Sequence, residues 1–260
     1  MGIVNATPDS FSDGGSFSDA SAAIEHALRL AGEGADIIDV GGESTRPGAW
    51  PVAVDEEQRR AIPVIEGIRR WSKVPISIDT TKSAVASRAL QAGADMINDI
   101  SAGRFDPEML PLAAKARVPI CLMHMRGEPR TMQMAPHYDN LMDEIRAFLS
   151  DAIRRAIAAG VARDNIIVDP GIGFGKRAED NLNILKDLRQ LEAVEVPILI
   201  GTSRKSFIGK MLGLEVNERL EATLATLAAA VDQGASILRV HDVAPARRFL
   251  DMHLLLRKEN

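Results

Sequence analysis

The sequence predicts a (β/α)8 barrel. Three observations carry that prediction. Short apolar strands alternate strictly with helical segments along the whole chain. No linker or low-complexity stretch separates them. Eight such units in about 250 residues match the size of this architecture. At 260 residues, 46% hydrophobic and 26% charged, the chain has ample core for one domain over its full length. The competing architecture, a doubly wound open sheet, is disfavoured in its dinucleotide-binding form because no G-x-G-x-x-G follows the first strand.

The first strand is expected over residues 1–4, ending at Asn5. Residues 6–18, rich in Thr, Pro, Asp, Ser and Gly, form a loop longer than a usual βα connection, and such loops tend to carry function. Ser18 or Asp19 caps a helix whose stripe is Ile24, Ala27, Leu28 and Ala31, stopped by Gly32 and Gly34. A second strand, 35–40, enters the polar loop 41–48, and a helix over 55–71 turns Ile62, Ile65 and Ile68 inward. Strand 75–79 follows, then a helix capped by Thr80 or Thr81, then strand 95–100. Asp106-Pro107 opens the next helix by the cap-then-proline signal. Strand 119–123 precedes a long loop, 124–137, and a helix over 138–159. The sixth strand, 165–169, enters a glycine-rich turn and a helix over 179–191. Strand 196–200, a helix over 218–233, strand 236–240 and a helix over 247–257 complete the pattern.

A barrel of this kind places its active site at the carboxyl ends of the strands. Those ends carry Asn5, Asp39, Asp79, Asn98, His124, Asp169, the loop 202–206, Arg239 and His241. Side chains two apart share a strand face, so Arg239 and His241 point the same way. Together they suggest an anion socket. The plainer alternative is that Arg239 pairs with a buried carboxylate while His241 caps the next helix. Ser203-Arg-Lys-Ser206 puts two cations and two hydroxyls at a helix start after strand seven, where barrels often hold phosphate. Asp79, Asn98 and Asp169 could meet the donors and acceptors of a flat nitrogen heterocycle, or form a structural network between strands. A carboxylate metal site is a third option, without the ligand spacing of zinc enzymes. Gly171-x-Gly173-x-Gly175 reads as a tight βα turn, His124 between two Met as strand-end packing, Lys176 as a solvated loop charge, and Cys121 as core.

A formal net charge of −5 gives no nucleic-acid footprint, and the single cysteine fits a reducing compartment. No apolar run approaches the roughly 20 residues that span a membrane, and no signal peptide is visible. A cytoplasmic protein is expected, acting on small molecules and binding neither nucleic acid nor membrane.

The motifs also resemble one family. Residues 1–15 and 37–48 are similar to the two signature loops of the dihydropteroate synthases. So are Ile76-Ser-Ile-Asp79, Ile97-Asn-Asp-Ile-Ser101, Met123-His-Met-Arg-Gly127, Asp169-Pro-Gly-Ile-Gly-Phe-Gly-Lys176, Gly201-Thr-Ser-Arg-Lys-Ser-Phe207 and Arg239-Val-His241. The resemblance extends to about residue 243, with the motifs in the family's order.

It implies a TIM-barrel transferase of folate synthesis and sulfonamide target, joining 6-hydroxymethyl-7,8-dihydropterin pyrophosphate to p-aminobenzoate. By the same resemblance Asp79, Asn98, Ile100, Met123, Asp169, Phe174, Lys205 and Arg239 would bind the pterin. Asn5, Arg239 and His241 would hold the pyrophosphate, with Asn5 also a ligand of Mg²⁺. Phe11, Thr45, Pro47, Phe174, Lys205 and Ser206 would form the p-aminobenzoate pocket, and Arg46 would arrive with Thr45 on a mobile loop. Asn5, Thr45, Arg46, Lys205, Arg239 and His241 would be the catalytic set. A homodimer is implied too. One departure is expected: the family usually carries a short segment, often a hairpin, ahead of the first strand, whereas Met1 stands where that strand begins. A related corrinoid methyltransferase would have no use for the pyrophosphate residues, and a silent pterin-binding homologue would lack turnover.

Overall fold

The computed structural model describes residues 1–6, 16–46 and 48–257, with the side chains of 16–19 left aside. Strands β1 (Gly2–Asn5), β2 (Ile38–Gly41), β3 (Ile76–Asp79), β4 (Met96–Asp99), β5 (Ile120–Met123) and β6 (Ile166–Asp169) form one parallel sheet in chain order. Strands β7 (Leu199–Ile200) and β8 (Ile237–Leu238) pair with each other. Two parallel bridges close the ring. Val168 pairs with Ile198, joining β6 to β7, and Gly2 pairs with Val240, joining β8 back to β1. The second seam is held by Ile3 N–H to Val240 O (3.0 Å) and Val240 N–H to Met1 O (2.9 Å). The expected barrel is therefore the observed one.

Helices α1 (Ser16–Gly32), α2 (Val54–Trp71), α3 (Ser83–Gln91), α4 (Met109–Ala116), α5 (Leu141–Ala158), α6 (Ala178–Asp187), α7 (Ser206–Leu212), α8 (Leu220–Asp232) and α9 (Val243–Arg257) lie between and outside the strands. One face of each strand packs on this outer layer: Val4, Val40, Ile78, Ile97, Leu122, Val168 and Ile200 belong to the main core. The other face points into the barrel, where Met1, Met96, Cys121, Ile167 and Leu199 form a separate apolar plug. Cys121 is core as expected, and burial pushes its thiol well above its ordinary value. Period-two alternation then sets Asp79, Asn98 and Asp169 as the next inward residues of β3, β4 and β6, beyond Ser77, Met96 and Ile167.

Several element boundaries differ from the sequence reading for local reasons. Helix α5 starts at Leu141 rather than at 138, because the Asn140 side chain accepts the Asp143 N–H (3.3 Å) as an N-cap. The helix start expected after β7 is that of α7, a separate short helix beginning at Ser206, whose length the apolar pattern did not give. The buried stripe of α1 is Ala23, Ala27 and Leu30. Of the stripe expected there, Ile24, Leu28 and Ala31 are half-buried, and Ile24 instead reaches toward Gly67 on α2.

Candidate active site

Strand register fixes the centre of the barrel mouth. Asp79 is paired with Asn98 across β3 and β4, and Gly41 with Asp79 across β2 and β3. Arg239, immediately after β8, reaches across the ring. Its Nε donates to Asp39 Oδ2 at 2.7 Å and its Nη2 to Asp79 Oδ2 at 2.8 Å. Asn98 Nδ2 donates to the same Asp39 oxygen at 3.2 Å. Arg239 thus does pair with a buried carboxylate, as the plainer alternative has it, and with two rather than one. Asp39, 0% exposed, is the hub of this network. It stood among the strand-end residues but not in the expected binding set, because no local signal says which acids an arginine six strands later will meet.

The network is not saturated. Asp79 Oδ1 and Asp39 Oδ1 are buried without a hydrogen-bond partner among the described residues. Burial pushes the Asp79 carboxyl up, Arg239 opposes the shift, and the Asp39 charge adds to it. An acceptor left unpaired in such a place costs about 1–3 kcal/mol unless something donates to it.

Beside these acids lies an apolar wall. Ile100, Met123, Met125 and Met132 are buried together, with Phe174 packed against them. Three of the expected pterin residues are therefore brought into one cluster by the turns after β4, β5 and β6. The turn after β6 is the tight one predicted: Gly171, Gly173 and Gly175 all have φ between +65° and +82°. At Gly171 a Cβ would sit 1.9 Å from the His124 carbonyl oxygen, so two loops meet backbone to backbone there. Gly171 N–H in turn donates to Asp169 Oδ1 at 2.6 Å, fixing that carboxylate. Burial raises the Asp169 carboxyl despite nearby Lys205.

Lys205 donates through Nζ to the Ile172 carbonyl and lies 4.8 Å over the Phe174 ring. Burial pulls its ammonium down to about 8, with Asp169 countering. Arg204 does not join it. Both ends of the Arg204 guanidinium are taken by Asp242, at 2.8 and 2.6 Å. Only one of the two cations expected at that helix start therefore faces the mouth. His241 does not cap α9. Its N–H donates to Ser203 Oγ at 3.1 Å, and its Nδ1 lies 3.0 Å from the same oxygen. Burial, helped by Arg239, lowers the imidazole to about 4, so His241 is neutral at pH 7. It can hydrogen-bond an anion without supplying charge.

Lys176 corrects an expectation outright. It is 3% exposed, not solvated, and its Nζ lies 2.9 Å from His124 Nδ1 and donates to the Phe174 carbonyl at 3.0 Å. Burial lowers its ammonium to about 7. His124 itself packs edge-on against Phe148 at 4.9 Å, the strand-end packing role expected of it.

The rim is more open. Asn5 is half-buried at the end of β1, Thr45 half-buried, Arg46 and Ser206 exposed. Thr45 lines a cleft of about 770 Å³ that also borders Asp79, Ile100, Lys82, Trp50 and Arg130. Phe11 and Pro47 lie outside the described residues.

Comparisons with known proteins bear on the fold and the family. The family model described as pterin binding enzyme matches residues 1–241. A dihydropteroate synthase of Synechocystis is 52% identical over 244 residues, covering 94% of this chain and 84% of the relative. The structure of Xanthomonas albilineans dihydropteroate synthase with 4-aminobenzoic acid superposes with a TM-score of 0.93 at 46% identity, covering 100% of this chain and 93% of that one. A second structure from that organism, in complex with 7,8-dihydropteroate, gives a TM-score of 0.91 at 43% identity, covering 100% and 94%.

Proposed function

This chain belongs to the pterin-binding enzyme family, and on that premise we propose that it acts as a dihydropteroate synthase. It condenses 6-hydroxymethyl-7,8-dihydropterin pyrophosphate with p-aminobenzoate to give 7,8-dihydropteroate and pyrophosphate. The observation that carries the reading is Asp79 Oδ1, a buried acceptor without a partner among the described residues, beside Asn98, Asp39 and Arg239. A flat heterocycle with N–H donors on one edge satisfies it. Asp169 and Lys205 face the same ring from β6 and the loop after β7, and Ile100, Met123 and Phe174 give it an apolar wall.

The chemistry follows from that placement. The bond from the pterin methylene to the diphosphate oxygen breaks, and its electron pair leaves with the diphosphate. The arylamine lone pair forms the new C–N bond, and the amine then releases a proton. An arylamine is unprotonated at neutral pH, so no strong base is required. The electron-rich dihydropterin stabilises a developing methylene cation, which favours a dissociative displacement. Arg239 and neutral His241, with Asn5, face the diphosphate as charge grows on it. Thr45, Arg46, Pro47, Phe11 and Ser206 supply the arylamine side, and loop closure excludes water.

Mg²⁺ fits this set as an ion shared with the substrate. Asn5 offers one neutral amide oxygen, and no three His, Cys, Asp or Glu side chains among the described residues cluster as a metal cage. That suits Mg²⁺, which keeps several waters and takes oxygens from phosphates. When bound, the ion would offset the charge of the leaving diphosphate. The proposal includes a cytoplasmic homodimer. No helix among the described residues is long and apolar enough to cross a membrane, and Leu255 and Leu256 of α9 stay exposed in the single chain.

Two measurements test the reading. With both substrates and Mg²⁺, dihydropteroate and pyrophosphate should appear in equal amounts, and chelating the metal should stop both. A corrinoid methyltransferase or a silent pterin binder would release no pyrophosphate. Calorimetry should show saturable Mg²⁺ binding only when the pterin pyrophosphate is present; a tight site in the free protein would contradict an ion shared with the substrate.

A pH dependence follows from Lys205. Below about 8 it is a charged donor, and above that a neutral amine. Pterin affinity should therefore fall as pH rises through about 8, and Lys205→Arg should remove that limb. A limb nearer 7 that survives Lys205→Arg would belong to Lys176 instead.

A further inference from the structure

The loop between β2 and α2, which carries Thr45 and Arg46, is held at its base by charges that the reaction itself does not use. Gly42 sits directly on the first turn of α2: a Cβ there would lie 2.8 Å from the Glu57 carbonyl oxygen. Arg60 Nη1 donates to Gly42 O at 3.2 Å. Glu43 Oε1 accepts the Val52 N–H at 2.9 Å, tying the two ends of the loop together. The other Glu43 oxygen accepts from Lys82 Nζ, which also donates to Glu57 Oε2 at 2.6 Å. Glu57 is 0% exposed, and its Oε1 has no partner among the described residues.

Lys82 belongs to a different part of the site. It lies three residues beyond Asp79, in the turn leaving β3, where its own N–H donates to Thr80 Oγ1 at 3.2 Å. One ammonium thus joins the strand end that presents Asp79 to the loop that presents Thr45 and Arg46. Without it, Glu43 loses its link to the end of β3 and the buried Glu57 keeps an uncompensated charge, so the loop of Thr45 and Arg46 loses its anchor to the Asp79 side.

We infer that Lys82 is a positioning residue: through Glu43 and Glu57 it sets the loop of Thr45 and Arg46 against the Asp79 side of the pocket, and so governs arylamine capture rather than pterin binding. This rests on the proposed reaction, in which that loop meets p-aminobenzoate.

The variants Lys82→Met, Lys82→Arg and Lys82→Met with Glu57→Gln separate this from a general stabilising role. The double variant removes the uncompensated buried charge, so it is expected to fold where the single one fails. Both Met-containing enzymes that fold should show a KM for p-aminobenzoate raised at least about tenfold, with the dissociation constant for pterin pyrophosphate within about twofold of wild type. Lys82→Arg should restore most of the KM. A double variant with wild-type KM for p-aminobenzoate would overturn the inference. So would equal losses for both substrates. The wild-type enzyme is assayed alongside: no pyrophosphate release from it would defeat the proposed reaction, whereas release from it with no KM effect in the variants defeats the Lys82 assignment alone.

Discussion

Asp169→Asn is expected to fold like the parent chain and to lose pterin affinity by about 100-fold or more. The carboxylate is buried at the end of β6 and accepts one N–H from Gly171. An Asn oxygen can keep that bond, so the turn, its left-handed glycines and the contact with His124 should survive. What the amide cannot do is accept with both oxygens, because half of its head group is now a donor. Against a heterocycle edge that itself donates, one favourable contact becomes a clash of donors. Charged hydrogen bonds carry about 1.5–3 kcal/mol each, and an unpaired partner adds to the loss. Asp169→Ala should lose affinity as strongly while also leaving the Gly171 N–H unpaired. Equilibrium titration with 6-hydroxymethylpterin, beside a melting curve, checks both. Wild-type affinity in a folded Asp169→Asn would remove Asp169 from the pocket.

The second large effect is on stability as well as turnover. Arg239→Met leaves Asp39 and Asp79 facing each other with their shared cation gone. Removing one partner of a buried ion pair costs about 3–5 kcal/mol, enough to lower the melting temperature of a chain this size by roughly 10 °C. The sign of its pH dependence is fixed. Without the arginine, the folded-state carboxyl pKa rises further above its unfolded value. The folded state then binds more protons than the unfolded one, and stability should recover as pH falls toward the ordinary carboxylate range. Adding Asp39→Asn should return most of the lost stability at neutral pH and none of the turnover. Arg239→Met that melts like wild type, with no pH dependence, would mean that the network does not hold the barrel mouth together.

Both predictions rest on residues visible at the strand ends, and the reason is geometric. Inward and outward faces alternate with period two, so the polar residue one step beyond the apolar plug had to face the mouth: Asp79 above Ser77, Asn98 above Met96, Asp169 above Ile167. The eightfold alternation of strands and helices made the barrel legible in the same way. What the pattern could not show was pairing across the ring. Asp39 became the hub only because Arg239 reaches it from the opposite side of the β8–β1 seam. Arg204 and Lys205 look alike in sequence, yet Asp242 takes one and Asp169 attracts the other. Lys176 reads as a loop charge until the loop after β5 folds over it and brings His124 to its Nζ. Of helix α7 only the start was legible, because seven residues are too few to display a period.

Where a pterin rests in this chain is best measured by a crystal structure with 7,8-dihydropteroate bound. The expected result has the pterin edge within hydrogen-bond distance of Asp79 Oδ1, Asn98 and Asp169, its face against Met123 and Phe174, and the benzoate directed toward Thr45 and Ser206. A pterin ring lodged instead at the outer side of the cleft, against Trp50 and Arg130, with Asp79 Oδ1 still unpaired, would contradict it.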